Sequence, residues 1–360
     1  GNSSMYLEKY VQSPRHIEVQ IFGDGKGNVV SLGERECSIQ RRYQKIIEES
    51  PSPFVNQDLR ERLCGAAVKL GENVSYRSAG TVEFLVDGVT GEFYFLEMNT
   101  RLQVEHPISE LTNDVDLVEW MLGRSPKDLM SFESKFPIGH AIEARLYCED
   151  PSNNFLPSPG RLDLVKWPSE KDARVDTWIE TGTVVTPNFD PMVAKLIVRV
   201  KRESVFTPTS HSNTHTHTQV HSDTNREDAL TKFQDALSSC ELRGTTTNLE
   251  FCEAISKLDS FVEGKYDTGF LESSPSVFEN LKQGVFVEDG GINTTVQDLG
   301  RTPQRMGKTT AWSIGIPPSG AMDDVSARVS NRLVGNDENA AVLECTSCSS
   351  AKCENFSHKY

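Results

Sequence analysis

The alternation of apolar and polar positions predicts an antiparallel hairpin over residues 81–99. The first strand alternates over six positions, and the segment Asp-Gly-Val-Thr-Gly that follows is typical of a tight turn. If the chain reverses about the middle of this turn, Glu83 lies opposite, or nearly opposite, Glu97. The pattern therefore brings two acidic side chains to one place on the predicted sheet.

The spacing of apolar positions predicts most of the remaining elements. Alternation indicates further strands, and a spacing of three to four residues between apolar positions indicates helices. Asn56 is suited to cap the first helix. The predicted strands cover 15–22, 29–32, 139–147 and 193–200, and the predicted helices cover 56–73, 108–122 and 226–242, with one apolar side of the second helix formed by Leu111, Val115, Val118 and Leu122.

The two faces of the predicted hairpin carry different chemistry. Glu97, Asn99 and Arg101 are spaced by two, so they share one face if the strand persists to the arginine. Opposed carboxylates repel each other, and a hard divalent cation such as Mg²⁺ would reverse the sign of that interaction. The pattern predicts either a metal site or a solvated strand face with scattered charges.

Composition limits the kinds of partner. The chain has 360 residues, a net charge of −15, 37% hydrophobic residues and 25% charged residues. This acidity argues against nucleic acid as a partner, and any anionic substrate must be attracted by local cations. No apolar run approaches the roughly 20 residues of a membrane-spanning helix, and the first residues do not resemble a signal peptide. We therefore expect a cytoplasmic protein whose eight cysteines are mostly reduced and buried.

Three segments depart from the regular pattern. The segment 33–45 is locally basic, which suits either an anion site or a solvated charge run. The segment 205–224 is rich in Ser, Thr and His, and we predict a disordered insertion, with a transition-metal site as the alternative. A similar choice, between a disordered tail and a small zinc knuckle, applies at the end of the chain to Cys345, Cys348, Cys353 and His358.

Two long motifs carry a resemblance to a known family. The segment EFYFLEMNTRLQVEHP, at 92–107, resembles the signature of biotin carboxylases within the ATP-grasp superfamily, and EKYVQSPRHIEVQIFGDGKGNVVSLGERECSIQRRYQKIIEESP, at 8–51, resembles a second region of the same enzymes. The resemblance extends from about residue 1 to residue 257. It implies ATP and bicarbonate as substrates, a carboxyphosphate intermediate and carboxylation of biotin.

The resemblance implies roles for individual residues. It implies that Mg²⁺ or Mn²⁺ is bound by Glu83, Glu97 and Asn99. It also implies that the nucleotide is contacted by Glu8, Lys9, Tyr10, Val11, His16 and Tyr43. Tyr43 departs from the His or Asn that is common in the family. It assigns bicarbonate and biotin to Lys45, Arg101, Gln103, Val104 and Arg145, with Lys45, Arg101 and Glu105 in catalytic roles and Glu105 as the base. A guanidinium fork suits planar bicarbonate, and a base beside two cations would be held ionised.

A third region suggests which carboxylase this is. The segments FVEDGGINTTVQDLGR and GIPPSGAMDDVSARVSNRLVGNDENAAVLECT resemble the start of the carboxyltransferase domain of urea carboxylases. That resemblance implies urea as the acceptor, allophanate as the product, a biotin carboxyl carrier domain as a partner and, from the biotin carboxylase region, a homodimer. The alternatives are the biotin carboxylase of an acyl-CoA carboxylase and a non-catalytic dimerisation or interaction module.

We therefore predict an α+β protein. The expected domains are the C-terminal part of an ATP-grasp domain with an antiparallel sheet (1–135), a biotin carboxylase C-terminal α+β domain (136–265) with a low-complexity insertion (203–225), a linker (266–284), a truncated β-rich carboxyltransferase domain (285–346) and a disordered tail (347–360). No glycine-rich lid, nucleotide-binding lobe or biotinylation motif is recognised in the sequence. We expect the isolated chain to be inactive and its biotin to be carried elsewhere.

Overall fold

The computed structural model describes residues 10–126, 129–132, 136–201, 223–275 and 277, with the backbone alone described at 223–225. The chain divides into two compact units, residues 1–185 with 191–283 and residues 186–190 with 284–360. Every helix and strand given below belongs to the first unit. The predicted carboxyltransferase domain, the tail and most of the insertion lie outside the described residues. Among the described helices, none has the length and apolarity that crossing a membrane requires.

The described part of the chain combines strands and helices, as an α+β protein should. The strands are β1 (Pro14–Asp24), β2 (Val29–Arg41), β3 (Gln44–Ser50), β4 (Arg77–Asp87), β5 (Phe93–Asn99), β6 (His140–Tyr147), β7 (Glu149–Asp150), β8 (Leu156–Pro157), β9 (Gly160–Arg161), β10 (Leu164–Lys166), β11 (Arg174–Thr177), β12 (Val184–Val185), β13 (Met192–Val200) and β14 (Glu241–Arg243). The helices are α1 (Gln57–Asn73), α2 (His106–Asn113), α3 (Leu117–Glu119), α4 (Asp223–Ser238), α5 (Leu249–Ser256) and α6 (Asp259–Val262), with single helical turns at Trp120–Arg124, Leu129–Ser131 and Pro151–Asn153.

One antiparallel sheet of eight strands organises the first unit. Its strand order is β11-β13-β6-β3-β2-β1-β4-β5. β3 pairs with β6 over Ile47 to Ser50, so strands from the two sides of residue 135 belong to one sheet. The predicted strand at 29–32 is the beginning of a much longer strand that includes most of the basic segment 33–45.

Helices cover both faces of this sheet. Ile17, Val19 and Ile21 of β1 pack with Leu59 and Leu63 of α1, which begins at the predicted cap: the Asn56 side chain accepts a hydrogen bond from the Leu59 amide at 2.9 Å. On β6, Ile142, Ala144 and Leu146 enter a larger core with α4 and α5. Ala141, on the opposite face, packs instead with Ile108 of α2 and Ile197 of β13. α2 therefore lies on the face that carries the alternate, charged positions of β6.

The predicted helix at 108–122 is wrong in extent. α2 ends at Asn113, where Asp114 adopts a left-handed conformation with φ of 59°, and a separate turn starts at Leu117. Val118 and Leu122 are 44% and 77% exposed, so they do not share a buried apolar side with Leu111. An aspartate tolerates the left-handed region better than most residues, and this backbone choice interrupts a pattern that apolar spacing alone would continue.

Candidate active site

The predicted carboxylate pair is present. Glu83 of β4 and Glu97 of β5 are direct register partners. Asn99 Nδ2 donates hydrogen bonds to Glu83 Oε1 at 3.0 Å and to Glu97 Oε1 at 3.1 Å. Both carboxylates therefore point to one side of the sheet and converge on a single group, as the metal hypothesis requires.

The donor set fits a hard divalent cation. Two carboxylate oxygens approach one nitrogen within 3.1 Å, so both acids already face a single point at which a cation could be held. The Asn99 amide now supplies the positive dipole that separates the two acids, and rotation of this amide would present its oxygen as a third ligand. Glu83 is buried and Glu97 is exposed, so the site is open to solvent on the Glu97 side.

Lys45 connects this pair to the rest of the site. Its Nζ donates to Glu18 Oε2 at 2.6 Å, to Glu83 Oε1 at 3.2 Å and to Glu105 Oε1 at 2.5 Å. Burial alone would lower the pKa of Lys45, but Glu18 and the other nearby acids raise it above the usual value. Each of the three ammonium hydrogens therefore has a carboxylate partner, and the lysine remains charged.

A local irregularity of β3 places Lys45 on the site. The register between β2 and β3 shifts between the pairs Ile39–Ile47 and Gln40–Lys45. Ile46 and Ile47, consecutive in sequence, are both buried in the core shared with α4 and α5. The extra residue of this bulge changes which positions face the site, so Lys45 points away from the core although strict alternation would place it beside Ile47.

Beneath Lys45 lies a fully buried arginine, Arg35. All five of its N–H groups donate to side-chain oxygens, in each case within 3.1 Å: those of Glu18, Gln20, Thr81, Gln103 and Ser109. Burial opposes ionisation of Glu18, but Arg35 and Lys45 lower the pKa of its carboxyl to about 2. Arg35 therefore fixes both the carboxylate that holds Lys45 and the amide of Gln103.

Two of the residues predicted to bind bicarbonate, Gln103 and Val104, lie just before α2. Gln103 Nε2 donates to Glu83 Oε1 at 2.8 Å, and Lys195 Nζ donates to the Val104 carbonyl at 2.7 Å. Glu105 immediately precedes α2 and is buried, and its side chain makes no hydrogen bond to the helix amides. Its Oε2 lies 3.1 Å from Arg145 Nη2, while its Oε1 accepts from Lys45. The predicted base is therefore held between two cations, as expected.

Arg101 is the exception among the predicted catalytic residues. A common face with Glu97 requires the strand to continue as far as Arg101, but β5 ends at Asn99. Arg101 lies in a bend that follows the strand. Arg101 is exposed, and its Nη1 donates to the neighbouring Leu102 carbonyl at 3.4 Å. The described structure brings Lys45, Gln103, Glu105 and Arg145 together and leaves Arg101 at the rim.

The residues predicted to contact the nucleotide are arranged in two groups. His16 Nε2 lies 2.8 Å from Glu83 Oε2, next to the metal pair, and this hydrogen bond with the charge of Lys45 lowers the pKa of Glu83 to about 2 against the effect of burial. Val11 is buried, whereas Tyr10 and Tyr43 are 85% and 93% exposed. Glu8 and Lys9 lie outside the described residues.

The basic segment 33–45 divides into two groups of residues with different surroundings. Arg35 is buried and Lys45 is partly buried, both beside acids. Arg41, at the end of β2, and Arg42, in the turn that follows, donate to Asn154. The number of basic residues in the segment cannot show which of them face the site. That depends on the alternation along β2 and on the bulge in β3, which together decide the face that each residue occupies.

Sequence reasoning also missed several buried charged residues around the site. They are Glu18, Arg35, Glu48, Glu143 and Lys195. One signal was available: each lies in a strand beside apolar residues, and a charged side chain there is solvated only if nothing covers that face of the sheet. Since α2 covers that face, these residues are buried and must pair with one another.

A pair of converging carboxylates, a partly buried lysine and a glutamate paired with an arginine would suit a metal-bound polyphosphate and a small anion. Known family models agree: carbamoyl-phosphate synthase L chain, ATP binding domain, matches residues 1–124, and biotin carboxylase C-terminal domain matches 143–212 and 216–273. The model for carboxyltransferase domain, subdomain A and B, matches 314–353. The fold is that of an ATP-grasp domain. The chain belongs to the biotin carboxylase family.

Curated relatives and solved structures extend this similarity. Urea amidolyase of Saccharomyces cerevisiae is 42% identical over 96% of this chain, and methylcrotonoyl-CoA carboxylase subunit alpha of Glycine max is 42% identical over 80%. The chain spans 17% and 36% of the length of these relatives. The structure of Kluyveromyces lactis urea carboxylase matches with 37% identity and a TM-score of 0.63, covering 92% of this chain and 26% of that one.

A second solved structure contains ligands of the expected kind. It is the biotin carboxylase domain dimer of Hydrogenobacter thermophilus 2-oxoglutarate carboxylase, described as a complex with MgADP, ADP and bicarbonate. It matches with 36% identity and a TM-score of 0.67, covering 76% of this chain and 56% of that one.

Proposed function

We propose that this chain supplies the metal-, bicarbonate- and base-bearing part of a biotin carboxylase that works within a longer urea carboxylase. The observation that carries the proposal is Lys45, whose ammonium joins the metal carboxylate Glu83 to the base Glu105 through two hydrogen bonds. Phosphoryl transfer depends on positioned charges more than on covalent chemistry. Because the Lys45 ammonium contacts both Glu83 and Glu105, it fixes these two carboxylates relative to each other.

Glu83, Glu97 and Asn99 would hold Mg²⁺ or Mn²⁺, which when bound neutralises the phosphates of ATP. His16, beside Glu83, would orient the nucleotide. Bicarbonate would then occupy the space between Lys45, Gln103 and Arg145. Because Lys45 and Arg145 are both paired with Glu105, an incoming anion must take one of these cations from the glutamate.

This exchange gives Glu105 its role as the base. Release of one cation frees a carboxylate oxygen beside the bound anion, where it can accept a proton from bicarbonate. Gln103 and the Val104 segment are held by Arg35 and Lys195, so the pocket is formed before the substrate arrives. Biotin, carried on a carrier domain, would receive the carboxyl group near Arg101 and Arg145.

Two findings support urea as the final acceptor. The urea amidolyase relative is similar over 96% of the chain, whereas the methylcrotonoyl-CoA carboxylase relative is similar over 80%. The carboxyltransferase model also matches residues 314–353, beyond the biotin carboxylase region. We propose that the carboxyl group passes from biotin to urea and gives allophanate, and that the enzyme acts as a homodimer in the cytoplasm.

The test is ATP turnover by the full-length gene product with bicarbonate, biotin and either urea or methylcrotonoyl-CoA. We expect turnover stimulated by urea and not by the thioester, and stimulation by the thioester alone would replace urea carboxylase with an acyl-CoA carboxylase. Isothermal titration with Mg·ATP separates an enzyme from an interaction module, because a folded protein that gives no binding heat would contradict both enzymatic readings.

A further inference from the structure

A second pair of carboxyl groups lies deeper in the sheet than the metal pair. Glu48 of β3 and Glu143 of β6 are direct register partners, and both are 0% exposed. Directly opposed side chains on neighbouring strands have Cβ atoms about 5 Å apart, where two negative charges repel strongly in a medium without water. Glu83 and Glu97 repel each other less, because the Asn99 amide lies between them and Glu97 is exposed to solvent. Glu48 and Glu143 have neither an amide between them nor exposure to solvent.

Hydrogen bonding is uneven across this pair. Arg145 Nε donates to Glu48 Oε1 at 2.5 Å. In the part of the chain that the structure describes, Glu48 Oε2 and both carboxyl oxygens of Glu143 have no hydrogen-bond partner. A buried carboxylate without a donor is costly, whereas a proton between two carboxyl groups provides a donor to one and leaves the charge on the other.

The pair is connected to the base through a single guanidinium. Arg145 binds Glu48 through Nε and pairs with Glu105 through Nη2, which lies 3.1 Å from Glu105 Oε2. A planar guanidinium held at one edge has its opposite edge fixed as well. The direction of Arg145 toward Glu105 therefore depends on a charged acceptor at Glu48.

Several titratable and charged groups surround the pair on the packed elements. They are Cys37 of β2, Lys45 of β3, Glu105 at the start of α2, Arg145 and Tyr147 of β6, Lys195 of β13 and Cys252 of α5. Burial raises the pKa of both Glu48 and Glu143, and the nearby Arg145 and Lys195 offset only part of this effect. The direction of these shifts agrees with the unsatisfied oxygens.

We propose that Glu48 and Glu143 share one proton, and that Glu48, as the charged member, is a positioning residue that holds Arg145 against the base. The pair itself is inferred from register, burial and hydrogen bonding. Its role in carboxylation rests on the proposed function. On deprotonation a second buried negative charge would compete with Glu105 for Arg145, so the pocket is correctly formed only while the pair keeps its proton.

Infrared spectroscopy tests the shared proton without any activity. The full-length gene product should show the C=O stretch of a protonated, buried carboxyl group at neutral pH, and Glu143→Gln should remove it. Glu61→Gln, on the exposed face of α1, is the matched control and should leave the band unchanged. Absence of the band in the unmodified protein, or its persistence in Glu143→Gln, would overturn the shared proton.

Kinetics test the positioning role. Glutamine at 143 can donate its N–H to Glu48, so Glu143→Gln should keep the bicarbonate kinetics near neutral pH and lose less activity than the unmodified enzyme at alkaline pH. Glu48→Gln should lower kcat/KM for bicarbonate by about tenfold to a hundredfold, as expected for a displaced catalytic group, with KM for ATP unchanged. Equal losses in both variants, or a rise in KM for ATP, would contradict the positioning role. An inactive parent enzyme with a normal infrared band would count against the proposed function alone.

Discussion

The ammonium of Lys45 donates a hydrogen bond to Glu105 at 2.5 Å, which joins a strand in the middle of the sheet to the residue that immediately precedes α2. These residues are 60 positions apart in sequence. Because Glu18 and Glu83 accept from the same ammonium, one lysine balances three carboxylates in a mostly buried space. Stability and the proposed chemistry therefore depend on the same side chain.

Replacement of this lysine should destabilise the fold as well as abolish turnover. In Lys45→Met, Glu18 and Glu105 keep Arg35 and Arg145, but Glu83 loses its lysine and the three acids lose their shared cation. Removal of one partner of a buried ion pair typically costs about 3–5 kcal/mol. Lys257→Met is the control, because Lys257 pairs with Glu253 on the exposed side of α5 and should contribute well under about 1 kcal/mol. Urea denaturation of the purified chain measures both. Similar losses in the two variants would show that the cluster is not a structural unit.

Acid should destabilise the protein through Glu18 and Glu83. Burial raises the pKa of both carboxyls, but Arg35 and Lys45 lower that of Glu18, and His16 and Lys45 that of Glu83, from 4.5 to about 2 in the folded state. The unfolded chain therefore binds more protons as the pH falls below about 4.5, and the stabilisation present above that pH is lost progressively toward pH 2. Glu18→Gln should lower stability at neutral pH and flatten this acid slope. Urea denaturation at a series of pH values measures it, and an unchanged slope would contradict the assignment.

The hairpin could be predicted from sequence because its turn and both strands are local. Alternation fixed the face of Glu83, and the turn brought Glu97 close to it. A bulge between the pairs Phe84–Phe95 and Glu83–Glu97 then makes Glu97 the direct partner, where the register set by the turn alone would place Leu96. The bulge near Ile46, the left-handed Asp114 and the early end of β5 could not be predicted in this way. Each is a local backbone choice made by tertiary packing, and each changes which side chains reach the site. The buried acids Glu48 and Glu143 meet only because β3 and β6 pair across about 95 residues of sequence.

Replacement of one exposed carboxylate should weaken metal binding without loss of stability. Glu97 is exposed and lies opposite Glu83, so Glu97→Gln removes a metal ligand and also removes repulsion between two acids. We expect Mn²⁺ affinity, measured by electron paramagnetic resonance, to fall by at least about tenfold while the melting temperature stays equal or rises. Glu92→Gln, an exposed residue near the start of the same strand, is the control and should retain the affinity. Unchanged Mn²⁺ affinity in Glu97→Gln would remove Glu97 from the metal site.

Arg35 provides a last, separate prediction, because its five hydrogen bonds depend on the shape of a guanidinium and not only on its charge. Arg35→Lys keeps one positive charge but offers three donors from a single nitrogen, so at least two of the five buried acceptors lose their partner. An unpaired buried polar group costs about 1–3 kcal/mol, so we expect a loss of at least about 2 kcal/mol. Arg62→Lys, on the partly exposed side of α1, should change stability little.

Because Arg35 also holds Gln103, the same variant should raise KM for bicarbonate more than KM for ATP in the full-length gene product. Steady-state kinetics with each substrate varied in turn separate the two effects. An Arg35→Lys enzyme with the stability and bicarbonate KM of the parent would show that the charge alone is sufficient. The fork geometry would then have no part in forming the pocket.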